Sequence, residues 1–333
     1  MTTLNVIGAG AWGTALAITA RKAGNDVCLW TRHAIHAAAL NSEKSNSKYL
    51  PGIALTPGIK ATVDLAKAAQ AEILLMVVPA QHIRDILARL KPDLAPETVL
   101  VICAKGLEQE SGLMMSEVMA DVIPENPLAI LSGPNFAREI AMGLPAAATL
   151  ACSDIETGRK LVDAIGLPAF RPYLTDDVIG AQIGGAVKNV LAIACGVVAG
   201  GRLGDNARAA LITRGMAEIL RFGEKRGARA ETLMGLSGLG DLVLTCSSPA
   251  SRNYSLGAAL GQGDILGEIL QQRHTVTEGV YTASAICMMA EKLNIEMPIC
   301  HAVNEILNGG VAVSNAIEEL LARPFRDEKL AGF

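Results

Sequence analysis

The chain reads as an α/β protein, with an N-terminal Rossmann-like, doubly wound sheet domain followed by an all-α C-terminal domain. Three observations predict this. Short apolar runs rich in β-formers alternate with helical stretches through the first half, the pattern of a parallel sheet covered on both faces. A Gly-x-Gly-x-x-Gly turn follows the first of those runs. From Val178 onward the strand signals disappear, which puts the boundary between a domain of residues 1–177 and one of residues 178–333. With 333 residues, 50% hydrophobic and 19% charged, the chain can fill two cores and is not globally disordered.

Element by element, the pattern predicts strands over Leu4–Ile7, Val27–Trp30, Ile73–Val78, Val99–Cys103, Leu128–Leu131 and Ala146–Leu150. Helical stretches fall between several of them, over Gly13–Ala23, His82–Leu90 and Ile155–Ile165. Pro79, Gly106 and Pro134 each follow a strand, where the ligand-binding loops of such sheets lie. Beyond the boundary, helices are expected over 178–200, 206–226, 254–261, 281–293, 299–308 and 314–322, with Gly235–Gly240 as a turn.

The net charge of −4, with acids and bases mixed along the chain, argues against a nucleic-acid partner. It leaves room for a local anion site of two or three donors. Seven cysteines, at 28, 103, 152, 195, 246, 287 and 300, form no Cys-x-x-Cys pair and sit mostly in apolar segments. They read as small buried hydrophobes of a reducing compartment. Neither they nor the five histidines show metal-ligand spacing, so no metal is expected. No basic segment precedes the first apolar run, and no uninterrupted apolar stretch reaches the roughly 20 residues of a bilayer span. A soluble, cytoplasmic protein is expected.

Gly8-Ala9-Gly10-Ala11-Trp12-Gly13 closes the first strand and opens a helix. The first glycine permits a tight turn, the second lets a pyrophosphate approach the backbone, and the third allows close helix–strand packing. Free amides at the helix start would hold the phosphates. At the end of the second strand an acidic residue would select NAD, but the chain there runs Thr31-Arg32-His33, and Asp26 lies at the strand's other end. Arg32 can meet a 2′-phosphate, so NADP(H) is expected as well as NAD(H), unless Arg32 is an ordinary exposed arginine.

Lys188 is the one formally charged residue between Val178 and Gly200. A lone ammonium there is costly to bury unless something negative or hydrogen-bonding meets it. Gly184, Gly185, Leu191 and Ala192 share its helix face, which suggests space for a small anion; the alternative is a lysine that snorkels to the surface. Polar clusters sit in the loops. Lys105 follows the strand Val99–Cys103, and Ser132-Gly133-Pro134-Asn135 follows Leu128–Leu131. Asp241 ends the Gly-rich turn, as a ligand or as a helix cap. Ser251-Arg252-Asn253 offers a hydroxyl, a guanidinium and an amide, donor chemistry suited to a phosphate.

Together these segments resemble the bacterial-type NAD(P)-dependent glycerol-3-phosphate dehydrogenases over nearly the whole chain. The resemblance rests on GAGAWGTALA (8–17), AKGLE (104–108), SGPNFARE (132–139), GGAVKNVLAIACG (184–196), NARAALITRGMAE (206–218), GLSGLGDLVLTC (235–246), SRN (251–253) and TEGV (277–280). It implies reversible reduction of dihydroxyacetone phosphate to sn-glycerol 3-phosphate with NAD(P)H, feeding glycerophospholipid synthesis, in a homodimer. By the resemblance, Lys188 transfers the proton. Lys105, Gly133, Asn135, Asp241, Ser251, Arg252 and Asn253 contact the substrate, though relatives often have Ser or Thr at the position of Asn135. Gly8, Gly10, Ala11, Trp12, Gly13, Arg32, Lys105, Ala137, Arg252, Val276 and Glu278 lie near the cofactor. Dehydrogenases of 3-hydroxyacids and 6-phosphogluconate share a helix-borne lysine but place an Asn four residues after it, where this chain has Ala192.

Overall fold

A computed structural model describes residues 1–272 and 277–325. The chain divides into two compact units, one of Met1–Ala104 with Met115–Val178, the other of Lys105–Met114 with the chain from Ile179 onward. The short segment Lys105–Met114 therefore groups with the helical unit, whereas the sequence reading drew a single boundary after residue 177.

The first unit is built on strands β1 (Thr3–Ile7), β2 (Asp26–Trp30), β3 (Ser45–Asn46), β4 (Leu50–Ala54), β5 (Lys60–Thr62), β6 (Ile73–Met76), β7 (Val99–Ile102), β8 (Leu128–Ser132), β9 (Ala146–Ala151) and β10 (Phe170–Thr175). Eight of them form one sheet in the order β10-β9-β8-β7-β6-β1-β2-β5, while β3 and β4 make a separate ribbon. Strand order reverses between β1 and β6, the switch point at which such sheets bind ligands. Within the eight-stranded sheet every pair is parallel except β8–β9, so the expectation of a parallel sheet is corrected at that one junction. Leu4, Val6, Leu74, Leu75, Leu100 and Val101 are fully buried, as a sheet covered on both faces requires.

Four strands had no clear signal in the sequence, and of these β3 is only two residues long. Strand β4 contains Pro51 and Gly52, β5 is three residues long, and β10 carries Pro172. Both β5 and β10 are edge strands, where a proline's missing N–H costs no ladder bond.

The second unit is helical. Its long helices span Val178–Gly200, Asp205–Arg226, Arg252–Gln262, Glu278–Leu293, Pro298–Asn308 and Val313–Leu321, with short ones at Ala230–Leu233, Asp241–Ser247 and Leu266–Gln272. The short helices were not expected. Gly235–Gly240, read as a turn, is a wide helical turn closed by Gly240 N–H donating to the Gly235 carbonyl, and it runs straight into Asp241–Ser247. Helix Val178–Gly200 is long and apolar enough to cross a membrane, yet 89% of its apolar window is buried within the protein. Val187, Val190, Ile193 and Cys195 on it are fully buried, in one core cluster with Ile219, Leu256 and Ile286 of neighbouring helices. It is the core helix of its unit.

The helix crossing is made by glycines. A β-carbon on Gly196 would run into the Tyr254 carbonyl oxygen, and one on Gly257 into the Ile193 carbonyl oxygen. Backbone thus meets backbone between Val178–Gly200 and Arg252–Gln262.

Candidate active site

In the sheet unit, the Gly8–Gly13 loop leaves β1 at the switch point. Gly8 has φ +122, and a β-carbon there would lie 2.9 Å from the Val77 carbonyl carbon, just past β6. Only glycine fits both constraints. A β-carbon on Gly13 would overlap the Gly8 carbonyl oxygen, so the helix Ala11–Lys22 can seat closely on β1. Gly10, by contrast, faces open space, with nothing within 4 Å of its would-be β-carbon. No side chain caps this helix, so the amides of Ala11 and Trp12 lack helical partners. The loop is held from below by Asn46, whose Nδ2 donates to the Ala9 carbonyl at 3.0 Å and to Thr14 Oγ1 at 2.7 Å. An open, glycine-lined approach in front of free amides fits a dinucleotide's pyrophosphate.

Arg32 is exposed beyond the end of β2, its Nε donating to His33 Nε2 at 3.0 Å. Gly133 takes φ +149 at the end of β8, where a β-carbon would press on Ala148 Cα at 3.0 Å. Asn135 donates to the Ala147 carbonyl at 3.0 Å. Its Oδ1 and the Ser132 hydroxyl are buried with no protein partner, two polar atoms left with hydrogen-bonding capacity in this loop. Ala137 begins the helix Ala137–Met142, which has no side-chain cap either.

In the helical unit, Lys188 does not snorkel. It is 7% exposed, and its Nζ donates to Thr245 Oγ1 at 2.8 Å and lies 3.2 Å from Asp241 Oδ1. Lys105 Nζ meets the other oxygen of the same carboxylate at 2.6 Å, and Thr245 Oγ1 donates to Asp241 Oδ1 at 3.2 Å. Asp241 is therefore an ion-pair hub rather than a helix cap. Two ammoniums share one buried carboxylate, which leaves an excess positive charge suited to an anion. Burial lowers the Lys188 pKa from 10.5 to about 8, opposed by the Asp241 carboxylate and assisted by the Lys105 ammonium.

The expected open space on the lysine's helix face is corrected at Gly184. A β-carbon there would lie 2.5 Å from the Ser237 carbonyl oxygen and 2.6 Å from Gly238 Cα. Gly184 lets the Gly-rich turn pack close, and that packing delivers Asp241 to Lys188.

Ser251 caps the helix Arg252–Gln262 by accepting from Tyr254 N–H at 3.2 Å. Arg252 is exposed at the first turn of that helix. Asn253 is buried, with Nδ2 donating to Asn189 Oδ1 at 2.8 Å and Oδ1 accepting from Gly279 N–H at 3.1 Å. Its side chain bridges three helices. Glu278 opens the helix Glu278–Leu293, while Val276 lies outside the described residues. Among the described residues no cluster of His, Cys, Asp or Glu could hold a metal.

Sequence reasoning missed Thr245 and gave Asn189 no task. Thr245 stands one helical turn after Asp241, a spacing that would have exposed it had the helix Asp241–Ser247 been predicted.

The family model for the N-terminus of NAD-dependent glycerol-3-phosphate dehydrogenase matches residues 3–158, and that for the C-terminus matches residues 177–318. The glycerol-3-phosphate dehydrogenase (NAD(P)+) of Rhodospirillum rubrum is 58% identical, over 97% of this chain and 93% of its own. That of Parvibaculum lavamentivorans is 55% identical over 97% of both. The crystal structure of glycerol-3-phosphate dehydrogenase from Coxiella burnetii superposes with a TM-score of 0.93 at 38% identity, covering 97% of this chain and 99% of that one. The chain belongs to the NAD-dependent glycerol-3-phosphate dehydrogenase family.

Proposed function

We propose that this enzyme reversibly reduces dihydroxyacetone phosphate to sn-glycerol 3-phosphate, with Lys188 as the proton donor, and so supplies glycerophospholipid synthesis. The observation that carries the reading is the buried Lys188–Asp241–Lys105 cluster with Thr245. The nicotinamide, when bound, supplies or accepts the hydride. As negative charge grows on the carbonyl oxygen, the Lys188 ammonium stabilises it and passes on a proton. Its pKa of about 8 lets it both give up and regain that proton near neutrality. Asp241 and Thr245 hold the ammonium in place, and Lys105 adds positive charge on the far side of the carboxylate.

Arg252, with Ser251 and Asn253, takes the phosphate, and that remote binding orients the carbonyl. Gly133 and Asn135 contribute to substrate placement, Asn135 through its unpartnered Oδ1. Gly8, Gly10, Ala11, Trp12 and Gly13 receive the cofactor's pyrophosphate. Arg32 receives a 2′-phosphate, and Ala137, Glu278, Lys105 and Arg252 are assigned to the cofactor by the family resemblance alone. Mixing the protein with NADPH and dihydroxyacetone phosphate and following nicotinamide absorbance tests the activity; turnover of a 2-keto acid in its place would point to the hydroxyacid reading instead.

We also infer a cytoplasmic homodimer. All seven cysteines are free thiols, which suits a reducing compartment. Exposed Ala210 with half-buried Ala207 and Leu211 on the helix Asp205–Arg226 lines one apolar groove with exposed Leu203 and Leu321, which suits a second copy. Sedimentation showing a single-chain mass at micromolar concentration would remove the dimer.

A further inference from the structure

Two buried asparagines lie between the start of helix Glu278–Leu293 and the backbone of Lys105, and their bonds all run in one direction. The Gly279 N–H donates to Asn253 Oδ1 at 3.1 Å. Asn253 Nδ2 donates to Asn189 Oδ1 at 2.8 Å, and Asn189 Nδ2 donates to the Lys105 carbonyl at 3.3 Å. Each amide accepts with its oxygen and donates with its nitrogen, so neither side chain can flip without losing both its bonds. Asn189 is 5% and Asn253 8% exposed, and a break in the series strands a buried polar group.

We propose that Asn189 and Asn253 are positioning residues, a relay that anchors the Lys105 segment to the helical unit and thereby sets the Lys105 ammonium onto Asp241. This rests on the reading of Lys105, Asp241 and Lys188 as the reacting cluster. The segment Lys105–Met114 leaves a sheet strand but belongs to the helical unit, so something must hold it there. Leu107 and Met114 do so by apolar burial in the helical core, which fixes the segment without fixing the direction of its first residue. Asn189 supplies that direction, and it sits next to Lys188 on the same helix. The glycines make the relay possible. A β-carbon on Gly279 would lie 2.8 Å from both the Asn189 carbonyl oxygen and Asn253 Oδ1, and the Gly196 and Gly257 contacts bring Asn253 within reach of Asn189. Simple packing of three helices would need no amides at all, since apolar groups fill such a junction at lower desolvation cost.

The test uses Asn189→Ser, whose hydroxyl ends one bond short of the amide's terminal atoms and so cannot reach the Lys105 carbonyl. In the ligand-free enzyme, hydrogen exchange within residues 105–114 should quicken by about ten-fold, with helix Asp205–Arg226 unchanged. Turnover of dihydroxyacetone phosphate should fall by about ten-fold. In a Lys105→Met background the same substitution should cost less than about two-fold, because it acts through Lys105. The groups facing Lys188 are Asp241 and Cys246 from helix Asp241–Ser247 and the Lys105 ammonium. When Lys105 retreats, the Lys188 pKa rises and the alkaline limb of the turnover profile moves to higher pH. Unchanged exchange in residues 105–114, or an undiminished ten-fold loss in the Lys105→Met background, overturns the relay. If Asn189→Ser does not fold, Asn253→Asp carries the exchange measurement, since it still accepts from Gly279 and can no longer donate to Asn189. Exchange decides the relay whether or not the parent enzyme turns over dihydroxyacetone phosphate, so the two readings fail separately.

Discussion

At the scale of single residues, the role proposed for Lys188 makes two measurable statements. Lys188→Met keeps the length of the side chain and removes the proton. It should lower turnover by roughly 100- to 10,000-fold, the worth of a positioned general acid, while cofactor affinity stays near normal. Near-normal turnover would remove Lys188 from the reaction. The second statement concerns pH. The ammonium form predominates below about 8, so reduction should fall as pH rises through that value, and oxidation of glycerol 3-phosphate should rise over the same interval. Parallel profiles in the two directions would contradict the assignment. The sequence made Lys188 conspicuous because it is a lone charge in an apolar helix. It could not show whether burial or Asp241 controls the ammonium, since that depends on distances set by Gly184 and the turn at Ser237–Gly238.

At the scale of elements, the long periodic helices and the buried strands were legible because each repeats its pattern over many residues. The edge strands and the one- or two-turn helices were not, because they are held by neighbours rather than by their own periodicity. Asp241–Ser247 is the costly omission, since it carries both Asp241 and Thr245. Glu218 is another feature no pattern could show. This carboxylate on helix Asp205–Arg226 is 1% exposed and accepts from the Ile299 and Cys300 amides at 2.7 and 3.1 Å, pinning the first turn of helix Pro298–Asn308. Burial raises its pKa, opposed by those two amides. The folded state therefore binds its proton more tightly than the unfolded state. Its stabilising contribution is complete below the ordinary carboxylate pKa of 4.5 and is lost as pH rises through the folded value. Glu218→Gln should flatten that slope in urea denaturation. At neutral pH it exchanges the cost of a buried charge for one poorly matched amide, a net change of about 1–2 kcal/mol at most. An unaltered slope would show that Glu218 does not titrate in that range.

For the whole molecule, cofactor binding and stability are linked. Anything that binds only the folded state stabilises it, by about 2.7 kcal/mol at a hundred times the dissociation constant. Saturating NADPH should raise the melting temperature, and Gly10→Val should abolish that rise. The same variant should leave the unliganded melting temperature nearly unchanged, because no protein atom lies within 4 Å of the new β-carbon. A large loss without ligand would show that Gly10 is structural. Arg32→Asp should raise the Michaelis constant for NADPH far more than for NADH; equal effects would argue against contact with a 2′-phosphate. The architecture and the nucleotide loop were readable from Gly8, Gly10 and Gly13 in their order after β1. What joins Lys105 to the helical unit was not, because the relay spans Gly279, Asn253 and Asn189, far apart in the chain.

The apolarity of helix Val178–Gly200 has a further consequence during synthesis. Met216, Tyr254, Ile286 and Ile299, which share its core cluster, are all made after it. At about 5–20 residues per second, roughly a hundred further residues take on the order of 5–20 s to translate. Through that interval the nascent chain presents a segment with the hydropathy of a membrane span. The enzyme's most sheltered helix when folded is its most exposed liability on the ribosome, where a chaperone that holds apolar segments would first engage it.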